Sequence, residues 1–161
     1  MSKQFQTAAA STAKGREALA AKRIAIVVSS YNDAITGPLR EAAQQTCIEG
    51  GVAAANIATL WVPGAWELPL ATQHAIEFGG ADGVIALGCV IRGETAHDRY
   101  INASVSQALM DIGLRLRRPV GFGLLTVYSL EQAKARAGGA VGNKGEETAS
   151  AVLQMLRLLN A

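Results

Sequence analysis

The chain has 161 residues, of which 50% are hydrophobic and 17% charged, with a formal net charge of +2. That composition bounds one ordinary globular domain and excludes a disordered chain or a coiled coil. Fifteen Lys and Arg against thirteen Asp and Glu are too evenly balanced to indicate a nucleic-acid partner, and no run approaches the ~18 apolar residues of a membrane span.

Residues 1 to 15, MSKQFQTAAASTAKG, have little to bury and predict a mobile tail ahead of a single domain over 16–161. In that domain apolar strands alternate with amphipathic helices. RIAIVVS, Arg23 to Ser29, is the first strand. Ile35, Leu39, Ala43 and Cys47, four apart, predict a helix from Ala34 to Glu49 that stops at Gly50-Gly51. NIATLWV, Asn56 to Val62, is the second strand, and its helix begins near Pro63-Gly64 and ends before Gly79-Gly80. GVIALGCVI, Gly83 to Ile91, is the third strand. The helix after it, Asp98 to Arg117, carries Ile101, Val105, Ala108, Leu109, Ile112 and Leu116 on one face, and Pro119 closes the connection. The fourth strand, PVGFGLLTV, leads to a short helix from Leu130 to Ala137, where Ser129 and Gln132 have capping-box spacing. After Gly138-Gly139 a last helix, Lys144 to Leu159, is expected to bury Ala149, Val152, Leu153, Leu156 and Leu159.

Strands that read as continuous apolar runs imply a parallel sheet covered on both faces. The expected fold is therefore α/β: a three-layer α/β/α sandwich with a flavodoxin-like four-stranded parallel sheet. Ligands of such sheets lie outside the carboxyl ends of the strands, and the unusual residues of this chain follow three of those ends. Tyr31, Asn32 and Asp33 come after the first strand, VPGAWELP (Val62 to Pro69) after the second, and RGETAH (Arg92 to His97) after the third.

Each of these residues has two readings. Tyr31 either lids the core or stacks on a ligand. Glu67 either complements a helix dipole or binds a ligand. Thr95 and Asp98 have capping-box spacing, which makes Thr95 the N-cap and sets His97 in the first turn. Backbone N–H groups make that place an anion site, where a neutral imidazole can accept and return protons; His97 is otherwise a solvent-facing histidine. His74, mid-helix without polar neighbours, carries no such reading.

No His, Cys and carboxylate spacing indicates a metal. No GxGxxG follows a strand. GNKGEE, Gly142 to Glu147, joins two helices and has Gly145 where a phosphate loop needs Ser or Thr after the lysine, so no cofactor is expected. Cys47 and Cys89 form no CxxC pair and fall in apolar patterns, the usage of a reduced compartment. With no signal-peptide apolar stretch at the N-terminus, the expected location is the cytoplasm.

Taken together, SSYNDAIT, VPGAWELP, LGCVIRGETAHDRY, PVGFGLLTVYSLEQAKARAG and GNKGEETA, in that order and spacing, closely resemble the lumazine synthase family over about Ile24 to Leu158. The resemblance implies a transferase that condenses 5-amino-6-(D-ribitylamino)uracil with 3,4-dihydroxy-2-butanone 4-phosphate. This is the penultimate step of riboflavin biosynthesis, run without cofactor or metal. It implies that Tyr31 stacks on the uracil ring, that Ala65, Trp66 and Glu67 hold the ribityl chain and ring, and that the backbone of Cys89, Val90 and Ile91 meets the pyrimidine. Glu94 and Thr95 match positions that meet the butanone phosphate, Glu94 through its backbone N–H. His97 matches the proton-transfer residue, Arg136 the phosphate-binding arginine, Phe122 a further substrate contact, and Lys144 a basic group near the site, with Glu147 where a carboxylate is usual.

Phe122 stands near the start of the fourth strand, away from the carboxyl ends. A site completed by a neighbouring subunit, which would supply Phe122 and Arg136, meets that difficulty. The family forms homo-pentamers with shared sites, some building shells of twelve pentamers, and the short AGGAVGNKG link resembles the shell-forming members. Association with a riboflavin synthase is a further expectation of the resemblance. Two alternatives share the fold: an archaeal-type riboflavin synthase, which condenses two lumazines, and a shell or flavin-binding protein without catalysis.

Overall fold

The computed structural model describes residues 13–159. A short helix, α1 (Ala13–Glu17), leads into β1 (Ile24–Ser29), α2 (Asp33–Glu49) and β2 (Ile57–Val62). A 3-10 turn, Ala65–Glu67, opens α3 (Leu68–Glu77), followed by β3 (Gly83–Ile91), α4 (His97–Leu116) and β4 (Val120–Val127). The chain ends in α5 (Leu130–Arg136), a small hairpin of β5 (Ala137–Gly139) and β6 (Gly142–Asn143), and α6 (Lys144–Leu159). Of the expected tail, residues 1–12 lie outside the described residues. Gly15 belongs to α1, and its carbonyl accepts a hydrogen bond from Arg157 Nε at 3.2 Å. Among the described residues no helix is long and apolar enough to cross a membrane.

The four main strands form one parallel sheet in the order β2-β1-β3-β4, the flavodoxin-like arrangement. The chain leaves β1 for β2 on one side and returns to β3 on the other, so the winding reverses between β1 and β3. That reversal parts the loops above the two strands and opens a crevice at their carboxyl ends. The inner strands are the continuous apolar runs: all of β1 is buried, and so is β3 up to Cys89. The outer strands, β2 and β4, mix buried and exposed positions because each has a neighbour on one side only.

Strand alternation divides the core into two layers. Ile24, Ile26, Val28, Ile85, Leu87, Cys89, Leu125 and Val127 face α2 and α6, whose Ile35, Leu39, Ala43, Cys47, Ala149, Val152, Leu153 and Leu156 complete one cluster. Ala25, Val27, Val84, Ala86 and Leu124 face α3 and α4 through Leu68, Ala75, Val105 and Leu109. Each fully buried Leu, Ile or Val contributes about 1.5–3 kcal/mol, so these two layers hold the strand ends in place. Gly121 lets α6 lie close to β4: a Cβ there would stand 2.5 Å from Thr148 Cγ2.

Three sequence expectations need correction. Leu159 is 58% exposed, because α6 by its last turn has run past the sheet. The segment after α5 is a hairpin as well as a helix stop; Gly138 (φ 106°) and Gly142 (φ 101°) supply left-handed backbone that L-residues with side chains rarely adopt. The capping box at α5 is half made as predicted: Ser129 Oγ accepts from the Gln132 N–H at 3.3 Å, whereas Gln132 Oε1 accepts from the N–H of Tyr128, one residue before the cap.

Candidate active site

The crevice follows from a mismatch in strand length. β1 pairs with β3 only as far as Val28 with Leu87, while β3 continues to Ile91, paired on its other side with Val127. Cys89, Val90 and Ile91 therefore project beyond β1. In a parallel strand the N–H and C=O of alternate residues point the same way. Val90 is thus turned toward β4, and Cys89 and Ile91 toward the notch that β1 vacates.

The loop above β1 is tied across this notch. The Ser30 N–H donates to the Val62 carbonyl at 2.7 Å and the Tyr31 N–H to the Pro63 carbonyl at 3.1 Å, joining the first loop to the second. Asn32 Nδ2 donates to the Cys89 carbonyl at 2.9 Å, joining it to the third. Tyr31 is 72% exposed, so it is no lid over the core and its ring is open to a ligand. Behind it, the buried Thr36 hydroxyl donates to the Ser29 carbonyl at 2.7 Å and fixes the start of α2.

In the second loop Glu67 has a structural task. Its Oε2 accepts the Gly64 N–H at 2.9 Å, and its own N–H donates to the Gly64 carbonyl at 3.3 Å. This closes the 3-10 turn, buries Ala65, and sets Trp66 outward at 60% exposure. One carboxylate oxygen holds the loop, and the other has no protein partner among the hydrogen bonds of the described residues.

The third loop carries Glu94, Thr95 and His97, all exposed. Here the predicted cap is displaced. The N-cap of α4 is Ala96, which makes no side-chain cap, and Thr95 Oγ1 instead accepts the His97 N–H at 3.4 Å. The helix begins one residue later than the Thr95–Asp98 spacing implies, so the hydroxyl closes a local turn in place of a capping box. His97 still opens the helix. Beside it, Arg92 lies over the Tyr128 ring with its guanidinium 5.6 Å from the centroid.

Sequence reasoning sends Phe122 and Arg136 together to a neighbouring subunit, and the fold separates them. Phe122 pairs with Ala86, mid-sheet, and is five residues from Val127. At about 3.3 Å per residue that is about 17 Å short of the carboxyl end. Arg136 lies near that end in its own chain. It closes α5, which starts two residues after β4 and buries Ala133 in the cluster that holds Cys89 and Val127. The next residues, β5 and β6, pack near the first turns of α2, where Asn143 Nδ2 donates to the Pro38 carbonyl at 3.3 Å. Asn143 Oδ1 also accepts the Gly145 N–H at 2.9 Å, which sets Lys144 at the start of α6, paired with Glu147 Oε2 at 2.6 Å. A groove of about 930 Å³ lies elsewhere, between α4, β4 and α6, walled by Leu109, Met110, Leu114, Phe122 and Met155.

The family model for 6,7-dimethyl-8-ribityllumazine synthase matches residues 21–160. The chain belongs to this family. A 6,7-dimethyl-8-ribityllumazine synthase of Rhodopirellula baltica is 50% identical over 136 residues, covering 84% of this chain and 88% of the relative. Proteins of the same name from Gemmatimonas aurantiaca and Pediococcus pentosaceus are 45% and 42% identical, over 86% and 83% of this chain and 85% and 86% of their own lengths.

In this member of the lumazine synthase family, two residues around the crevice escape a reading by motif. Asn32 bridges two loops through its Nδ2, and Asn143 uses both ends of its amide, capping α6 and strapping it to α2. Asn143 directly precedes the predicted last helix, which is its only sequence signal, whereas Asn32 stands two residues ahead of the helix predicted from Ala34. Cys89, though next to the crevice, is 1% exposed, and burial pushes its thiol up to about 11, so it is neutral.

Proposed function

We infer that the chain condenses 5-amino-6-(D-ribitylamino)uracil with 3,4-dihydroxy-2-butanone 4-phosphate to 6,7-dimethyl-8-ribityllumazine, releasing phosphate and water. The observation that carries the site assignment is the notch between β1 and β3. There Tyr31 is exposed in the loop after β1, and β3 runs on from Cys89 to Ile91 beyond its pairing with β1. A uracil ring, flat and edged with alternating N–H and C=O groups, suits that pair of surfaces: stacking on Tyr31, hydrogen bonds along the strand. Ala65, Trp66 and the second oxygen of Glu67 take the ribityl chain.

The phosphate sits at the loop N–H groups of Glu94 and Thr95, just ahead of α4 and the positive end of that helix. Arg136 adds a charge-assisted fork and Lys144 a second cation. The 5-amino group attacks the ketone, losing water to form an imine; phosphate leaves; the enol product cyclises with loss of a second water. His97 carries the protons between these steps. Holding two substrates together supplies most of the acceleration.

Phe122 comes from a second copy. Trp66, Leu70, His74 and Phe78, spaced by four from the 3-10 turn through α3 to its C-cap and all exposed, form a ridge that starts at the site, with His74 and Phe78 stacked 5.2 Å apart. A neighbour's β4 groove is the apolar surface that suits it, and a ridge meeting a groove elsewhere on the molecule gives a head-to-tail ring. A pentamer in the cytoplasm is the assembly we assign, with twelve pentamers in a shell as its extension through the short hairpin link. The test is direct: purified protein given both substrates should develop lumazine absorbance and fluorescence with one phosphate released per lumazine. Riboflavin formed from lumazine alone would favour the archaeal-type riboflavin synthase instead.

A further inference from the structure

We propose that Asn32 is a positioning residue that stands in for the missing rung of β1 and thereby sets where the pyrimidine binds. The proposal rests on the reading of the β1/β3 notch as the uracil site, and it concerns a residue that touches no substrate in that reading.

Three features of Asn32 converge. Its backbone is left-handed, φ 61° and ψ 46°, a conformation shared by one other non-glycine among the described residues, Arg117. That turn brings the chain from Tyr31 back over the sheet edge. Its carbonyl accepts the N–H groups of Ile35 (2.9 Å) and Thr36 (3.0 Å), so α2 begins on it. Its side-chain amide reaches across the notch to the Cys89 carbonyl at 2.9 Å.

The third feature is the informative one. A helix can start on many residues, and glycine would take the left-handed turn with less strain. Neither needs an amide donor. The donor is needed because β1 has ended: the Cys89 carbonyl points into the notch with no strand to meet it, and a carbonyl left bare there would compete for the N–H groups of an incoming ring. With Asn32 on that carbonyl, the next notch-facing residue along β3, Ile91, is the one left to read the ligand. The same bond fixes the distance between the loop that carries Tyr31 and the strand that Tyr31 must face, while Tyr31 is held from the other side through Pro63. Stacking and edge recognition are thus kept in register by one side chain.

The test uses Asn32→Gly, which suits the left-handed backbone and keeps the carbonyl that starts α2, and Asn32→Asp, which keeps the shape but turns an acceptor toward the Cys89 carbonyl. Binding of the ribitylaminouracil alone, measured by calorimetry, should weaken about tenfold in Asn32→Gly and about a hundredfold in Asn32→Asp, as loss and reversal of one hydrogen bond imply. The KM for the butanone phosphate should stay within twofold. Protein labelled with carbonyl-13C cysteine contains only two labelled groups, and the Cys89 band should move to higher wavenumber in Asn32→Gly while that of Cys47 stays. Uracil binding unchanged in Asn32→Gly would overturn the proposal, as would equal weakening of both substrates, which marks a merely structural residue. Failure of Asn32→Gly to fold would also overturn it, since glycine tolerates that backbone. A wild type that binds the uracil without making lumazine would sink the proposed reaction and leave Asn32 to be judged on binding; one that binds no uracil sinks both.

Discussion

The carboxyl end of the sheet and its β4 edge are built on opposite terms. At the carboxyl end, loops from three strands are stitched to one another by backbone and side-chain hydrogen bonds: Ser30 to Val62, Tyr31 to Pro63, Asn32 to Cys89, Gly64 to Glu67. At the edge, Phe122 is 47% exposed on an outer strand and Leu114 70% exposed on α4, with a groove between α4 and α6 and no side chain of the described chain to fill it. One region is organised before anything binds; the other is apolar surface that water should not cover. The difference teaches that within one chain the loops at the strand ends are organised by hydrogen bonds while the β4 edge leaves apolar surface uncovered, the pairing that the proposed intersubunit site requires.

The largest expected effect comes from breaking the two regions separately and mixing them. A chain with Tyr31→Ala and His97→Ala lacks the carboxyl-end half, and a chain with Phe122→Ala lacks the edge. Each should be inactive or nearly so alone. Co-assembled at random in equal amounts, a sound end meets a sound edge at about one interface in four, so activity should return to about a quarter of wild type. The sharper arm replaces the second chain by Arg136→Ala. Because Arg136 sits at the carboxyl end of its own sheet, that mixture contains no complete half-site and, assayed with the butanone phosphate well below its KM, should recover nothing beyond the two chains alone. Recovery with Arg136→Ala would move the arginine back across the interface. Absence of recovery with Phe122→Ala, in proven mixed oligomers, would return Phe122 to its own chain.

Within the carboxyl end, single substitutions should divide binding from chemistry. His97→Ala should lower kcat by about a hundredfold at most, since a general acid–base contributes ~10²–10⁴ and this reaction leans on proximity. Arg136→Ala should act mainly on the butanone phosphate, raising its KM about ten- to a hundredfold for the loss of ~1.5–3 kcal/mol of charged hydrogen bonding. Steady-state kinetics with each substrate varied in turn reads both. A rise confined to the uracil KM in Arg136→Ala would put the phosphate elsewhere.

What the sequence discloses, and what it hides, follows the same division. The strands and helix faces were legible because burial is periodic: β3 runs over Gly83 to Ile91 as its apolar run predicts, and α2 buries the four residues that the spacing picks out. The loops of the site were legible as places, since Tyr31, Trp66 and His97 follow strand ends in an otherwise aromatic-poor chain. Their internal geometry was not. Thr95 and Ala96 compete for the start of α4 over a single residue, and the winner depends on how the loop leaves β3. Where Arg136 comes to lie in its own chain was not legible, because its distance from β4 in sequence says nothing of the β5–β6 hairpin, which is too short for alternation and turns on two glycines. Asn32 was visible only as a polar loop residue, because the carbonyl it serves is 57 positions away.

The smallest expected effect compares the two thiols, one below the crevice and one deep in the other end of the same core layer. Burial pushes Cys89 up to about 11 and Cys47 up to about 12, from an ordinary value of 9.0. Both folded values lie above the unfolded one, so the folded chain keeps protons that the unfolded chain gives up. Stability from this source is fully present below pH 9 and is lost as pH rises toward 11 for Cys89 and 12 for Cys47. Between about pH 9 and about pH 10.5 each thiol should cost about 2 kcal/mol of unfolding free energy. Cys47→Ala should remove one such contribution, so denaturant unfolding at fixed protein concentration should decline less steeply over that window than in wild type. Cys89→Ala should match it at first and then diverge: above pH 11 Cys89 has released its proton in both states and contributes no further slope, while Cys47 still does. Parallel declines in wild type and Cys47→Ala would mean that Cys47 titrates in the folded protein as it does in the unfolded one, contrary to its burial between α2 and the sheet.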